Sequence, residues 1–249
     1  MIQSPAESFK PIPVRVGEGR VDRLRHAARC LVDLQLDTIC RFLARELPEV
    51  RGDVLDVGCG EMPFRGMLPA GVRYVGIDVP QATTFGMTRS DAIVAFDGSH
   101  IPFPDGSFDH ILCTEVLEHA EHPQMLISEM RRVLRPGGSL IATVPFSARV
   151  HHAPHDHHRF TPFRLAAMTA AFASVRIAPR GDDLAVIANK LIVVAMRLAR
   201  PSPKWLWRLP LMLAMAPIAL VFLAVAHLSG RFGWGALDDP LGYGIVAVR

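Results

Sequence analysis

Two short apolar runs, each leading into a turn or an acid, constrain the fold of this chain of 249 residues more than any other feature. The first run, Val54 to Val57, leads into the glycine turn Gly58 to Gly60. The second, Tyr74 to Ile77, ends in Asp78, which follows Asp56 by 22 positions. Such runs are typical of parallel strands that are buried on both faces. Because the carboxyl ends of parallel strands meet at one edge of the sheet, we expect the turn and the acid to lie together there.

The chemistry of this edge favours a nucleoside as the ligand. Glycine lets the backbone pass close to a ligand where a Cβ atom would clash, and a carboxylate accepts hydrogen bonds from both hydroxyls of a ribose. A dinucleotide site of the usual type needs a third glycine five positions after the first, and that position, counted from Gly58, holds Pro63. The missing glycine argues against a nicotinamide-dependent oxidoreductase.

The remaining pattern, Asp56-x-Gly58-x-Gly60, resembles motif I of the class I S-adenosylmethionine-dependent methyltransferases. In that family the turn holds an amino-acid tail rather than phosphates. Later segments match the same family in order and spacing, namely the D-G-x-x-x-P-F loop at 97–103, the turn into the fourth strand at 104–109 and the Leu-Arg-Pro-Gly-Gly segment at 134–138, which marks the end of a helix ahead of the next strand. The resemblance covers roughly residues 50 to 180.

The resemblance implies S-adenosylmethionine as the cofactor. Asp78 would hold its ribose, the loop at Asp97 would contact the adenine amino group, and Asp56 would lie near the amino group of the tail. Asp56 and Asp97 each have a local alternative, since either carboxylate could satisfy backbone amides in its own turn. The complete set of cofactor-binding residues that we predict is Asp56, Gly58, Cys59, Gly60, Asp78, Val79, Asp97, Gly98 and Thr114.

Alternating strand and helix patterns predict an α/β fold, with a mostly parallel sheet and helices on both faces. The resemblance adds that the sheet is Rossmann-like and seven-stranded, with an antiparallel last strand. We divide the chain into an N-terminal arm and capping helix at 1–48, a cofactor-binding core at 49–180, an apolar helical insertion at 181–239 and the final strand at 240–249. The capping helices are expected at the sheet edge. The helix after the fourth strand is expected from about 121 to 134, with Glu115, Glu118 and His119 at its start.

Hydrophobic residues make up 50% of the chain, and they are concentrated in the insertion. Pro210 to Leu228 is almost entirely apolar, and its length approaches the ~20 residues of a membrane span. A single crossing would separate the last strand from its sheet, and both flanks are basic, so we predict that 184–228 lies on the cytoplasmic surface of a membrane. Trp205 and Trp207 are the expected interfacial anchors. The alternative is a helical lid that packs on the sheet or on a second subunit.

A histidine-rich segment follows the predicted fifth strand, where the family shapes its acceptor pocket. Asp156 and Arg159 are expected to pair and fix this loop, and His155 and His158 are the candidate catalytic bases. A base is needed only for a poorly acidic acceptor, since the enzyme mainly aligns the acceptor with the methyl carbon. The histidine spacing matches no standard zinc signature, so we predict no metal site.

Taken together, these features predict a methyltransferase that acts on a small-molecule or lipid-linked acceptor. The alternative is a methyltransferase-like protein that binds a nucleoside or a membrane without catalysis. A net charge of +3 gives no reason to expect nucleic acid as a partner. Four cysteines without a C-x-x-C pair and the absence of an apolar signal at the N-terminus predict a cytoplasmic protein, and the apolar insertion predicts a peripheral position on the cytoplasmic face of the membrane. The sequence does not indicate an oligomeric state.

Overall fold

Seven strands form one sheet in the order β3-β2-β1-β4-β5-β7-β6. The computed structural model describes residues 12–14, 19–88, 90–200 and 205–249. The strands are β1 (Asp53–Val57), β2 (Arg73–Asp78), β3 (Ile93–Ala95), β4 (Phe108–Thr114), β5 (Leu134–Pro145), β6 (Ser174–Arg180) and β7 (Gly242–Val248). The first five are parallel, and β7 runs antiparallel between β5 and β6. This arrangement confirms the predicted fold class.

Six α-helices lie around the sheet in the part of the chain that the structure describes. They are α1 (Arg20–Val32), α2 (Leu34–Glu46), α3 (Pro123–Val133), α4 (Pro162–Met168), α5 (Asp183–Leu198) and α6 (Trp205–Phe232). The N-terminal arm predicted before α1 lies almost entirely outside the described residues, and so does Lys204, one of the basic residues before the apolar run of the insertion. A short 3-10 turn at 47–49 connects α2 to β1, and 3-10 turns at 65–67 and 80–85 take the place of full helices after β1 and after β2.

Residues of the central strands alternate between two cores. Leu55, Ile111 and Leu140 pack into one core with α3, whereas Val54 and Leu112 pack into the other core with α2. The period of two follows from the strand geometry, which turns successive side chains to opposite faces.

The expectation that the N-terminal helices cap the sheet edge is wrong for α2. Leu36, Ile39, Phe42 and Leu43 of α2 are buried against the face of the central strands. The Phe42 ring lies over Gly244 of β7, where a Cβ atom would come within 2.4 Å of the ring. Because Gly244 has no side chain, the helix can approach the sheet closely enough to cover its face.

The predicted helix after β4 is present as α3, but its expected start at Glu115 to His119 is wrong. Residues 115–120 form a turn, and the next helix begins only at Pro123. Glu115 has a positive φ of 54°, a backbone conformation incompatible with a right-handed helix. The chain therefore makes an irregular loop at the carboxyl end of β4, beside the glycine turn of β1.

Between β6 and β7 the chain forms a helical hairpin of α5 and α6. Ser229 of α6 is buried and donates a hydrogen bond to Asp182, and the Asp182 carboxylate also accepts from the backbone N–H of Ala185 at the start of α5. Asp182 thus joins the C-terminal end of α6 to the N-terminal end of α5. The N-terminal half of α6, from Leu206 to Ile218, has no buried residue.

Candidate active site

The glycine turn after β1 is fixed to the end of β2. The backbone N–H groups of Gly58 and Cys59 both donate to the carbonyl of Ile77, at 2.8 and 3.1 Å. Gly58 has a φ of 69°, and a Cβ atom there would lie 2.4 Å from Val116. Gly60 has a φ of 53°. Glycine is therefore required at Gly58 both for the backbone conformation and for the approach of the loop after β4.

Asp78 lies against this turn. Its Oδ2 accepts a hydrogen bond from the backbone N–H of Gly60 at 2.8 Å, and its Oδ1 accepts one from Val79 at 2.7 Å. Burial raises the pKa of Asp78, while the two amides act in the opposite direction. Each carboxylate oxygen has two lone pairs, so both retain a position at which a ligand hydroxyl could donate. The structure therefore brings together the turn and the acid.

Asp56 is buried beneath the same turn. The Tyr74 hydroxyl donates to its Oδ2 at 2.6 Å, and Oδ1 has no partner among the described residues. Burial raises the pKa of Asp56 to about 7. The Tyr74 hydrogen bond acts to lower this pKa, and the negative charge of Asp78 acts to raise it further. The local alternative, in which backbone amides of the turn satisfy Asp56, does not describe these contacts. A buried acceptor without a partner fits a site where a ligand or a water supplies the donor.

Cys59 and Thr114 occupy different positions at this edge. The Cys59 thiol is buried and packs over Gly76, 2.7 Å from where a Cβ atom of that glycine would lie. Its side chain is therefore directed into the sheet, and its backbone forms the turn. Thr114 ends β4 in register with Thr143 and is half-buried.

The loop after β3 reaches the same edge. A Cβ atom on Gly98 would lie 3.3 Å from the Val79 side chain, so the predicted residues Val79 and Gly98 are neighbours. Asp97 is exposed, and its Oδ1 accepts hydrogen bonds from the backbone N–H groups of Ser99 and His100, both at 2.7 Å. These two amides lower the pKa of Asp97. The turn-capping contacts of Asp97 are thus present, and its Oδ2 remains available for an adenine amino group.

The loop after β4 carries charged groups that lie outside the predicted set of site residues. Arg180 of β6 is buried and donates to Glu115 at 2.7 Å, which holds the loop against the end of the sheet. Glu118 is fully buried, and neither carboxylate oxygen has a hydrogen-bond partner among the described residues. Burial, followed by the charge of Glu115, raises the pKa of Glu118 well above its usual value.

The histidine-rich loop after β5 is fixed by the pair that the sequence predicts. Arg159 donates to both oxygens of Asp156, at 2.6 and 2.7 Å. Burial acts to raise the pKa of Asp156, but Arg159 and His151 hold it well below its usual range. The backbone N–H groups of His157 and His158 donate to the carbonyl of Glu118, which joins this loop to the one after β4.

The two candidate bases differ in their surroundings. The His155 side chain is exposed, and its carbonyl accepts a hydrogen bond from His119. His158 stacks on Phe160, and its Nε2 lies 3.1 Å from the carbonyl of Ala120, to which it can only donate. Nδ1 is therefore the nitrogen of His158 that can accept a proton from an acceptor group.

Comparison with known proteins identifies the core. Residues 55–142 match a family model described as a methyltransferase domain. Residues 55–142 form a methyltransferase domain. The chain is 33% identical over 124 residues to a probable S-adenosylmethionine-dependent methyltransferase from Mycolicibacterium smegmatis, and this match covers 48% of the chain and 47% of that protein. The chain spans less than half the length of the curated relatives of this kind that it matches.

Solved structures of methyltransferases share the fold. An S-adenosylmethionine-dependent methyltransferase from Archaeoglobus fulgidus superposes with a TM-score of 0.51 at 16% identity, covering 90% of this chain and 99% of that one. A phosphoethanolamine N-methyltransferase from Haemonchus contortus, solved with S-adenosylmethionine, superposes with a TM-score of 0.50 at 14% identity, covering 84% and 52%. The cofactor of this methyltransferase domain is S-adenosylmethionine.

Proposed function

We propose that this protein transfers the methyl group of S-adenosylmethionine to a lipid-linked acceptor at a membrane surface. The observation that carries the cofactor half of the proposal is the hydrogen bond between the Gly60 N–H and the Asp78 carboxylate. The observation that carries the acceptor half is the exposed apolar surface of α6. The two halves are tested separately.

The residues at the carboxyl edge of the sheet position the cofactor. S-adenosylmethionine supplies an electrophilic methyl group on a sulfonium. Asp78 would accept hydrogen bonds from the ribose hydroxyls, the Gly58–Gly60 turn would hold the amino-acid tail, and Asp56 would accept from the amino group of the tail, directly or through water. The loop at Asp97 and Gly98 binds the adenine. Alignment of the acceptor behind the methyl carbon then supplies much of the rate enhancement.

The catalytic role of the histidine loop belongs to this proposal. An acceptor hydroxyl or a protonated amine needs a base, and His158 is the better placed of the two candidates because its ring is held by Phe160 and by the carbonyl of Ala120. His155 is exposed on the same loop. A more acidic acceptor would react without either histidine.

The surface of α6 supports a membrane as the place of the reaction. Among the described residues, α6 contains one segment long and apolar enough to cross a membrane, Leu206–Phe232, and only 11% of its most apolar window is buried. Large apolar side chains on α6 face outward; they include Leu206, Trp207, Leu211, Leu213, Leu220 and Val221. The side chain of Trp205, the other predicted anchor, lies outside the described residues.

Two further features favour a helix that lies on the membrane over one that crosses it. Strand β7 follows α6 and pairs with both β5 and β6 along its whole length, so the chain returns to the sheet after α6. His227 of α6 is within 2.9 Å of the Leu31 carbonyl of α1, and Leu31 is itself exposed. Helix α1 therefore lies beside the C-terminal part of α6. It carries exposed Leu24 and Leu31 together with several arginines, a composition typical of interfacial helices.

A transfer assay tests the proposal as a whole. Protein, S-adenosylmethionine with a labelled methyl group and a membrane extract should yield label in the lipid fraction. If label appears only in water-soluble products, the acceptor is a small molecule and not a lipid-linked one. Cofactor binding without any transfer would favour the alternative of a non-catalytic binding protein.

A further inference from the structure

The buried carboxylate of Glu118 is the least satisfied polar group in the described part of the chain. Its side chain has no exposed surface, and both oxygens lack a hydrogen-bond partner. A buried carboxyl group without partners is costly. Such a group is expected to be protonated or to meet a cation.

Two imidazoles face this carboxylate. Nε2 of His119 lies 3.7 Å from Glu118 Oε1, and Nε2 of His151 lies 3.9 Å from the same oxygen. All three atoms lie within 4.8 Å of one another. The distances are too long for hydrogen bonds, so the three atoms surround a common point without contacting each other.

The opposite nitrogen of each imidazole is held by an oxygen. Nδ1 of His119 lies 2.7 Å from the carbonyl of His155. Nδ1 of His151 lies 3.1 Å from the carbonyl of Arg149 and 3.2 Å from Oδ2 of Asp156. Because oxygens of this kind only accept, the proton of each neutral ring belongs on Nδ1 and the lone pair on Nε2. Metal-binding histidines are oriented by the same kind of outer contact.

We propose that Glu118, His119 and His151 bind a divalent transition-metal ion. Two imidazole nitrogens and one carboxylate oxygen are a ligand set used for zinc and for non-haem iron. In a tetrahedral zinc site with bonds of about 2.0–2.1 Å, ligand atoms lie about 3.3 Å apart. The two carboxylate-to-imidazole distances exceed this value by about half an ångström, so small side-chain rotations would close the site.

The electrostatics of the cluster agree with this assignment. An imidazole with its proton on Nδ1 and its lone pair on Nε2 is the neutral form that binds a metal. A cation would also supply the charge that the buried Glu118 lacks. The predicted absence of a metal site rested on the spacing within the histidine-rich segment alone, and two of the three ligands come from the loop after β4.

A second group of metal-binding side chains provides the necessary comparison. His26, Cys30 and Cys40 also place their ligand atoms within 4.8 Å of one another. There the His26 ring lies 3.6 Å from each sulfur, within reach of S–H hydrogen bonds that satisfy the group without an ion. The Glu118 cluster differs from this group because its buried carboxylate has no hydrogen-bond partner among the described residues. The experiment must nevertheless remove the thiols.

The experiment is calorimetric titration of Zn²⁺ into the full chain carrying Cys30→Ser and Cys40→Ser. We expect one equivalent of Zn²⁺ to bind, and Glu118→Gln in the same background to lower the affinity by about 100-fold or more. Glu118→Gln keeps the shape of the side chain, and circular dichroism would verify its fold. The matched control is His157→Ala, which removes an exposed imidazole from the same segment and should leave the affinity unchanged.

A spectroscopic readout accompanies the titration. Co²⁺ in place of Zn²⁺ should give visible absorption bands, and Glu118→Gln and His151→Ala should abolish them. No uptake of Zn²⁺ by the thiol-free background, or equal affinity in Glu118→Gln, would overturn the proposal and leave Glu118 as a protonated buried acid. Neither measurement depends on methyl transfer, so failure of the proposed function would not affect the result.

Discussion

The backbone N–H of Gly60 donates to the carboxylate of Asp78 across 2.8 Å, joining the turn after β1 to the end of β2. Residues 18 positions apart thereby form one surface at the carboxyl edge of the sheet. Parallel pairing of β1 with β2 brings the two ends together. The cofactor assignment depends on this contact more than on any other.

Replacing Gly58 by alanine should destabilise the protein through two effects. The φ of 69° is unfavourable for a residue with a Cβ atom, and that atom would meet Val116 at 2.4 Å. We expect a loss of about 2–4 kcal/mol in the free energy of unfolding, measured with urea. Gly71→Ala is the matched control, since Gly71 has a φ of 87° but no atom within 4 Å of an added Cβ. Equal losses in both variants would show that the contact with Val116 does not contribute to the destabilisation.

Replacing Asp56 by asparagine should change how stability depends on pH. The pKa of Asp56 is raised to about 7 in the folded chain, so folding binds a proton between the unfolded value of about 3.9 and pH 7. The contribution of the protonated Asp56 is therefore complete below pH ~4 and is lost as the pH rises to 7. The stability of the wild type relative to Asp56→Asn should fall by about 4 kcal/mol over this range and stay level above it.

Urea unfolding of both proteins between pH 4 and 9 measures this difference, and other titrating groups cancel in the comparison. A difference that stays constant with pH would mean that Asp56 is ionised in the folded protein throughout. Such a result would mean that the Asp56 carboxylate is not an unsatisfied buried group, and it would no longer support a cofactor site at this position.

Two charges on the exposed face of α6 should abolish membrane binding. Leu213 and Leu220 are 63% and 66% exposed, so Leu213→Glu with Leu220→Glu should leave the fold intact. In flotation with anionic vesicles the wild type should rise with the lipid, and the double variant should stay at the bottom. The control is Phe163→Glu on α4, where an 84% exposed ring lies elsewhere on the molecule.

The alternative of a lid or a subunit contact predicts a different outcome in the same samples. If the wild type fails to float but sediments as a dimer that the double variant dissociates, then α6 joins two copies of the chain. Addition of salt provides a further check, because basic residues near α6 should strengthen binding to anionic lipid and salt should weaken it.

Alanine replacement of His155 and of His158 should separate binding from catalysis. If His158 is the base, His158→Ala should reduce turnover by about 100-fold or more and leave the affinity for S-adenosylmethionine unchanged. His155→Ala tests the exposed candidate in the same way. Unchanged turnover in both variants would show that the acceptor needs no base from this loop.

The sequence predicts the parts of the structure that depend on local pattern. The bounds of β1, β2, β4 and β7 follow from apolar runs, and the Gly58–Gly60 turn follows from its residue types. The proximity of Asp78 to that turn follows from the rule that parallel strands end at one edge.

The remaining features depend on contacts between distant residues. The position of α2 on the sheet face is set by packing of Phe42 against Gly244, which no periodicity reveals. The irregular loop after β4 is held by Arg180, 65 positions beyond its partner Glu115. The Glu118 cluster joins the loops after β4 and β5, and only the adjacency of those two strands could have predicted it.

Calorimetry with S-adenosylmethionine, S-adenosylhomocysteine and NAD tests the central claim most directly. The wild type should bind the first two and not NAD, and Asp78→Ala should weaken both by about 10- to 100-fold, the value of one or two hydrogen bonds to a charged group. Asp91→Ala, which removes an exposed carboxylate near β3, should bind as the wild type does. Binding of S-adenosylmethionine with unchanged affinity by Asp78→Ala would contradict the account, as would preferential binding of NAD.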